Sequence, residues 1–211
     1  MKTWEKYAPD AERWSEHAYA DGRTYLARRA DLVRTLGVRL EPGDTVLDLA
    51  CGDGGLGDFL PGQRYFGVDA SPEMARAGHG HGRDIACADL NDYEPPQPVD
   101  ATLIFRAIYY ARDRRGLFER IGGYTEKKLV FDLNPRQYQL ADVRADLAAA
   151  GFDRIAIRPF FVPQTRALPA ALLASLRGLE RCGPLAGLVL RFRFTVLCAA
   201  SRSVASARTG S

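Results

Sequence analysis

The stretch Val46-Leu47-Asp48-Leu49-Ala50-Cys51-Gly52-Asp53-Gly54-Gly55-Leu56-Gly57 decides how this chain is read. Together with Thr45 it opens as a short apolar run, β-branched at its start, as a strand buried on both faces does. It then turns through G-x-G-x-x-G (Gly52, Gly54, Gly57), where the missing side chains let backbone pass close to a ligand. That pattern alone suits more than one nucleotide cofactor. The acids beside it narrow the choice. A pyrophosphate seated on a helix N-terminus is repelled by a nearby carboxylate. Asp48, at the strand's end, and Asp53, inside the loop, instead favour a ligand with a positive centre.

Upstream, Tyr25, Leu32 and Leu36 recur at helical spacing with Gly37 as the stop. Downstream, a short helix runs to Leu60 and ends at Pro61-Gly62, and Tyr65–Asp69 reads as a second strand. Ser71 then caps a helix with Pro72 in first position and Glu73 in the first turn. Strands follow at Ile85–Ala88, Ala101–Phe105 and Lys128–Leu133, then a helix through Leu140, Val143 and Leu147 that Gly151 closes. Phe152–Phe161 and Arg191–Ala199 are the last two strands. The alternation predicts an α/β fold: a Rossmann-like, doubly wound, seven-stranded sheet, mostly parallel, with an antiparallel last strand. Between Pro163 and Leu190 the chain spends almost thirty residues where a hairpin needs a few. Leu172, Leu176 and Leu179 on one face and Arg177 and Arg181 on another predict a helical insert there, before the last strand. One domain is expected over residues 1–200, with a helical lid at 1–37, a helical cap at 163–190 and a disordered tail at 201–211.

A chain of 211 residues, 46% hydrophobic and 26% charged, suits one globular domain needing no disulfide or metal staple. Its net charge of +3 is too small to argue for nucleic acid. Seven arginines against Glu180 alone do make the residues from Phe161 onward locally basic. Cys51, Cys87, Cys182 and Cys198 form no regular framework and read as reduced thiols. The N-terminus lacks the apolar core of a signal peptide, and no apolar run approaches the ~20 residues of a membrane span. A soluble, cytoplasmic protein is expected.

The residues Val46 to Gly54 resemble motif I of the class I S-adenosylmethionine (SAM)-dependent methyltransferases, a hydrophobic strand followed by D-x-x-x-G-x-G. The likeness continues in order to about Leu133. It implies SAM as cofactor, held by Asp48, Ala50, Gly52 and Gly54 of the first strand and loop. Asp69, with Ala70 and Met74 beyond it, stands where the family holds the ribose hydroxyls. Asp89 and Leu90 stand where it contacts adenine, and Arg106 can offer its backbone carbonyl to the ammonium of SAM. Many members that methylate amino groups or bases carry Asn/Asp-Pro-Pro-Tyr/Phe after the fourth strand. This chain has Arg106-Ala107-Ile108-Tyr109, which argues against nucleic acid as acceptor.

Methyl transfer from SAM is a direct displacement, so the protein mainly aligns the reactants and needs a base only where the acceptor must lose a proton. His17, in an aromatic stretch with Tyr7, Trp14, Tyr19 and Tyr25, and Tyr109 are the catalytic candidates. Tyr109 has a packing role as its alternative. The Arg106 guanidinium can bind an anionic acceptor. His79 and His81 lack accompanying ligands, so no metal is expected. The arginine-rich insert can roof a pocket, hold an anionic or lipid-linked acceptor or form a homodimer face; alternatively it simply covers the sheet edge. The expected function is methyl transfer to an oxygen of a small metabolite, sugar or natural-product scaffold. Two other readings remain: a non-catalytic SAM-binding partner protein, and an NAD(P)-dependent oxidoreductase, which calls for hydride-chemistry residues such as a Tyr-x-x-x-Lys pair, of which none is picked out.

Overall fold

The structure is a computed structural model that describes residues 11–180 and 195–203. The first ten residues of the expected lid, residues 181–190 of the cap, the start of the last strand at Arg191 and the tail from 204 lie outside the described residues. Strands β1 (Thr45–Leu49), β2 (Arg64–Asp69), β3 (Ile85–Cys87), β4 (Val99–Ile104), β5 (Thr125–Leu133), β6 (Arg154–Phe160) and β7 (Thr195–Ser201) form one sheet. Its order is β3-β2-β1-β4-β5-β7-β6. The first five strands are mutually parallel, while β7 runs antiparallel to both β5 and β6. The seven-stranded, mostly parallel sheet expected from the sequence is therefore present. Its antiparallel strand lies inside the sheet, and β6 holds the edge.

Helices α1 (Trp14–His17) and α2 (Gly22–Thr35) precede the sheet; α3 (Pro72–Gly80), α4 (Arg114–Tyr124), α5 (Leu140–Ala149) and α6 (Ala170–Leu179) follow. The short helix expected before Leu60 is a single 3-10 turn, Gly57–Phe59. Ser71 caps α3 as its sequence predicts, accepting the Met74 N–H at 3.2 Å. Helix α4 has no clear sequence signal, because Gly116, Gly122 and Gly123 weaken its propensity. It forms because Leu117, Phe118 and Ile121 reach the core, and Gly122 lets α4 approach α5 closely: a Cβ there would stand 2.3 Å from the Ala150 carbonyl oxygen. In α6 the buried leucine is Leu173, while Leu172 is exposed, so the inward face differs from the Leu172-Leu176-Leu179 stripe. The chain beyond β7 stays tethered through residue 203, with the Ser203 N–H donating to Asp153 at 2.7 Å.

The central strands β1, β4, β5 and β7 are buried on both sides over most of their length, which is why they read as nearly continuous apolar runs. One core packs Leu47, Leu49, Phe131 and Leu147 beneath α4 and α5; the other packs Val46, Leu103, Val130 and Leu197 beneath α2. Three charged residues of β1 and β5 break the second pattern. Lys128 is fully buried and donates to the Leu36 carbonyl at 3.0 Å, satisfying an orphan acceptor at the end of α2. Asp48 and Asp132 lie farther along the same face.

Arg29, on α2, is the partner of Asp132. Only 2% exposed, it donates to Asp132 Oδ2 at 3.1 Å and to the Tyr25 hydroxyl at 2.9 Å, and its guanidinium lies 4.3 Å from the Phe105 ring centre. The strand order reverses between β1 and β4, opening a crevice beyond their carboxyl ends, where ligands of such sheets bind.

Two stability predictions follow from these charges. Burial pushes the Lys128 ammonium down to about 7 from its ordinary 10.5, against an opposing pull from Asp44. The unfolded chain then keeps a proton that the native chain lacks. Urea denaturation should show stability rising between about pH 7 and 10 by up to about 1.4 kcal/mol per unit. Lys128→Met should remove that rise; an unchanged slope in the variant would refute the assignment. Replacing Asp132 with Ala leaves the Arg29 charge buried and unpaired and should cost about 3–5 kcal/mol, whereas the double change Arg29→Met, Asp132→Leu should cost far less.

Candidate functional site

A cavity of about 420 Å³ fills the crevice at the ends of β1 and β4. Each successive strand end delivers a carboxylate to it: Asp48 from β1, Asp69 from β2, and Asp89 two residues beyond β3. Of the ten positions expected to hold a cofactor, Asp48, Ala50, Gly52, Asp69, Ala70, Met74, Asp89, Leu90 and Arg106 line this one cavity. Gly54 does not. It lies beneath the loop at φ +74°, where a Cβ would strike Ile85 at 2.9 Å.

The three carboxylates differ in their surroundings. Asp48 is 3% exposed and accepts the Tyr65 hydroxyl at 2.8 Å. Burial pushes its pKa up to about 7, partly offset by that hydrogen bond and by the Arg29 charge. Asp69 accepts the Gly52 N–H at 2.8 Å and the Ser71 N–H at 2.9 Å, so one acid joins the glycine loop to the start of α3. Burial raises its pKa too, with those two amides opposing. For Asp89 burial also pushes upward, but the Asn91 hydrogen bonds and Arg112 outweigh it and hold the carboxyl below its usual range. The Asn91 N–H and amide donate to it at 2.8 and 2.7 Å. Asp53 is a correction: the cationic ligand expected for it is replaced by protein partners. It pairs with Arg83 at 3.1 Å and accepts the Ser15 N–H at 3.2 Å, the Gly55 N–H at 3.3 Å and the Ser15 hydroxyl.

Those Ser15 contacts bring α1 down on the glycine loop. The Trp14 indole lies so close to Gly52 (φ +63°) that a Cβ there would stand 2.7 Å from it. The segment after α1 is held too: the Ala20 N–H donates to the Gln164 carbonyl at 2.8 Å, and Gln164 Nε2 donates to the Ala18 carbonyl at 3.2 Å. His81 Nε2 stands 3.1 Å from the Glu12 carbonyl oxygen, giving one of the paired histidines a place against the lid. Trp14, Ser15 and Tyr19 all line the cavity, whereas His17 is exposed and does not.

Opposite the glycine loop, Arg106, Tyr109 and Tyr110 line the cavity after β4, the two tyrosine rings 4.3 Å apart. Ala50 (φ +58°) and Arg106 (φ +54°), each just past a central strand, are the two non-glycine residues with left-handed backbone among those described. Asp132 Oδ1 accepts the Arg106 N–H at 2.6 Å and so holds that turn. Arg29 also reaches the cavity wall, a position the sequence reading did not single out. Its spacing was the available signal: four residues after Tyr25, three after Leu26 and four before Val33, it falls on the buried stripe. A Tyr-x-x-x-Lys spacing does occur, at Tyr124 and Lys128, but neither residue lines the cavity and the lysine amine is committed to α2.

No protein-family profile matches the chain. Trans-aconitate 2-methyltransferases of Mycobacterium tuberculosis (strain ATCC 25177 / H37Ra) and Mycobacterium bovis (strain BCG / Tokyo 172) are 33% identical to it over 87 residues, 39% of this chain. The chain spans about a third of the length of these curated relatives (33%). A chain of the complex between the Haloferax volcanii Trm112 methyltransferase activator and a methyltransferase superposes with a TM-score of 0.66 at 23% identity, covering 94% of this chain and 95% of that one. Magnesium protoporphyrin IX methyltransferase from Synechocystis PCC 6803, solved with SAM bound, gives 0.58 at 17% identity over 86% and 81%. A SAM-dependent methyltransferase from Clostridium acetobutylicum gives 0.60 at 13% over 95% and 99%. Strand order, glycine loop and these neighbours agree that the chain has the fold of the class I SAM-dependent methyltransferases.

Proposed function

We propose that this protein transfers the methyl group of SAM to an oxygen of a small-molecule acceptor. The observation that carries the reading is the meeting of Asp48, Asp69 and Asp89 around one cavity whose near wall is a glycine loop. SAM needs three kinds of recognition: compensation of its positive sulfonium and ammonium, acceptors for two ribose hydroxyls, and an acceptor for the adenine amino group. Asp48 supplies the first and Asp69 the second, its carboxylate already oriented by two backbone amides. Asp89 supplies the third beside Leu90, while the glycines, Ala50, Ala70 and Met74 shape the wall. The Arg106 carbonyl serves the ammonium.

In the reaction an acceptor oxygen forms a bond to the methyl carbon while the sulfur–methyl electron pair returns to sulfur, leaving S-adenosylhomocysteine. A hydroxyl acceptor releases its proton to water in this step; a carboxylate has none to give. Tyr109, on the cavity wall, is the better placed of the two catalytic candidates to orient the acceptor, since His17 is exposed away from it. The Arg106 guanidinium, without a carboxylate partner among the described residues, favours an anionic acceptor. The relatives' name makes trans-aconitate the first acceptor to assay. Residues 1–37 act as the lid and 163–190 as the cap of a single domain, the cap being available as a homodimer face. The position of Tyr124 and Lys128 away from the cavity disfavours the oxidoreductase reading.

Calorimetry tests the donor directly: heat with SAM and none with NAD is expected, and the reverse would overturn the proposal. Asp69→Ala should weaken SAM binding by about 1–3 kcal/mol, the cost of hydrogen bonds lost from a charged group. SAM selects the ionised form of Asp48, whose carboxyl titrates at about 7. Affinity should therefore fall below pH 7, approaching tenfold per unit, and binding near neutrality should release protons. Asp48→Asn should flatten that profile, and a wild-type affinity level from pH 5.5 to 8 would count against the role of Asp48.

A further inference from the structure

Arg106 combines three features that no structural need accounts for together. First, its backbone is left-handed, at φ +54°, where glycine would sit without a steric penalty. A long cationic side chain stands where glycine would carry no strain. Second, its guanidinium has no carboxylate partner among the described residues. Asp132 is adjacent, yet its Oδ2 takes Arg29 at 3.1 Å and its Oδ1 takes the Arg106 backbone N–H at 2.6 Å. Its side-chain hydrogen bond is to Tyr19, a neutral partner whose ring centre lies 5.8 Å from the guanidinium carbon and which leaves the positive charge uncompensated. Third, Arg106 lines two cavities at once. Besides the cavity already described it borders a smaller one of about 230 Å³, formed where β4 and β5 end and β7 begins. Tyr109 shares that boundary, and Asn134, Gln137, Tyr138 and Thr195 supply amides and hydroxyls around it. Asp132 is its one lining acid, and Arg29 neutralises it.

A half-buried cation without a counter-charge, beside a cavity walled by neutral hydrogen-bonding groups, is complementary to an anion. We propose that the smaller cavity is the acceptor site and that Arg106 is its specificity-determining residue, binding a carboxylate or phosphate oxyanion of the acceptor. The planar guanidinium can meet such a group with two parallel N–H donors, and Asn134 and Gln137 can serve its remaining oxygens. Arg106 then stands between donor and acceptor, anchoring the acceptor's charge beside the methyl group. The word acceptor rests on the methyl-transfer reading above; the anion site itself does not.

The test uses the full chain and three probes: tricarballylate as carboxylate, glycerol 3-phosphate as phosphate, and the neutral triamide of tricarballylic acid. Calorimetry should show saturable binding of one of the two anions and none of the triamide, and the tighter anion identifies the oxyanion class. Arg106→Gln should weaken that binding at least tenfold, with Arg106→Lys recovering part of it. In the wild-type chain the Arg106 side-chain Nε–H resonance should move with the anion and stay still with the triamide, a readout independent of any variant's folding. Equal binding of the triamide, binding of neither anion, or an unmoved Arg106 resonance would overturn the proposal. A parallel SAM titration separates the two claims. SAM heat without anion binding defeats this site alone, and anion binding without SAM heat defeats the methyl-transfer reading alone.

Discussion

The carboxylate of Asp132 ties together parts of the chain that are far apart in sequence. One oxygen pairs with Arg29 of α2, and the other accepts the Arg106 N–H just past β4. A buried guanidinium without such a partner would be strongly destabilising, so α2 and β5 are held at one separation by charge as well as by packing. The same carboxylate holds Arg106 in left-handed backbone, which turns the chain out of the sheet and sets the far wall of the crevice. The aromatic rings of Tyr25, Phe105 and Phe160 around Arg29 exclude water from the pair and strengthen it.

Asp53 does for the near wall what Asp132 does for the far one. It fastens Ser15 of the lid to the glycine loop and pairs with Arg83 just before β3. The glycines of this loop are consequently shaped as much by protein as by any ligand. Gly52 admits the Trp14 indole, and Gly55 lies against Ser15, where a Cβ would clash at 2.1 Å. An acid in a glycine-rich loop therefore need not face the cavity: Asp48, on β1, lines it, and Asp53 organises the loop.

Between these two fixed walls the charge is uneven. The β1–β3 side presents carboxylates, and the β4–β5 side presents Arg106 together with Arg29, whose charge Asp132 neutralises. A ligand pair with a cation at one end and an anion at the other matches that gradient. The separation follows from the strand order, because the reversal between β1 and β4 places the two groups of strand ends on opposite sides of one crevice.

By itself the sequence determined the strands, since apolar runs such as Val46–Leu49 and Leu129–Leu133 can be buried only in a sheet covered on both faces. It also determined the acids at three strand ends, because their spacing from those runs is local information. Helix α4 was not legible: its glycines hide a segment stabilised by contacts with α5 that are remote in sequence. Nor were the partnerships of Arg29, Asp53 and Asp132, for a charged side chain looks the same in sequence whether it meets solvent, ligand or a buried counter-charge. Only the tertiary structure decided which charges cancel and which face the cavity, because pairing depends on distances between strands and helices that local periodicity does not contain.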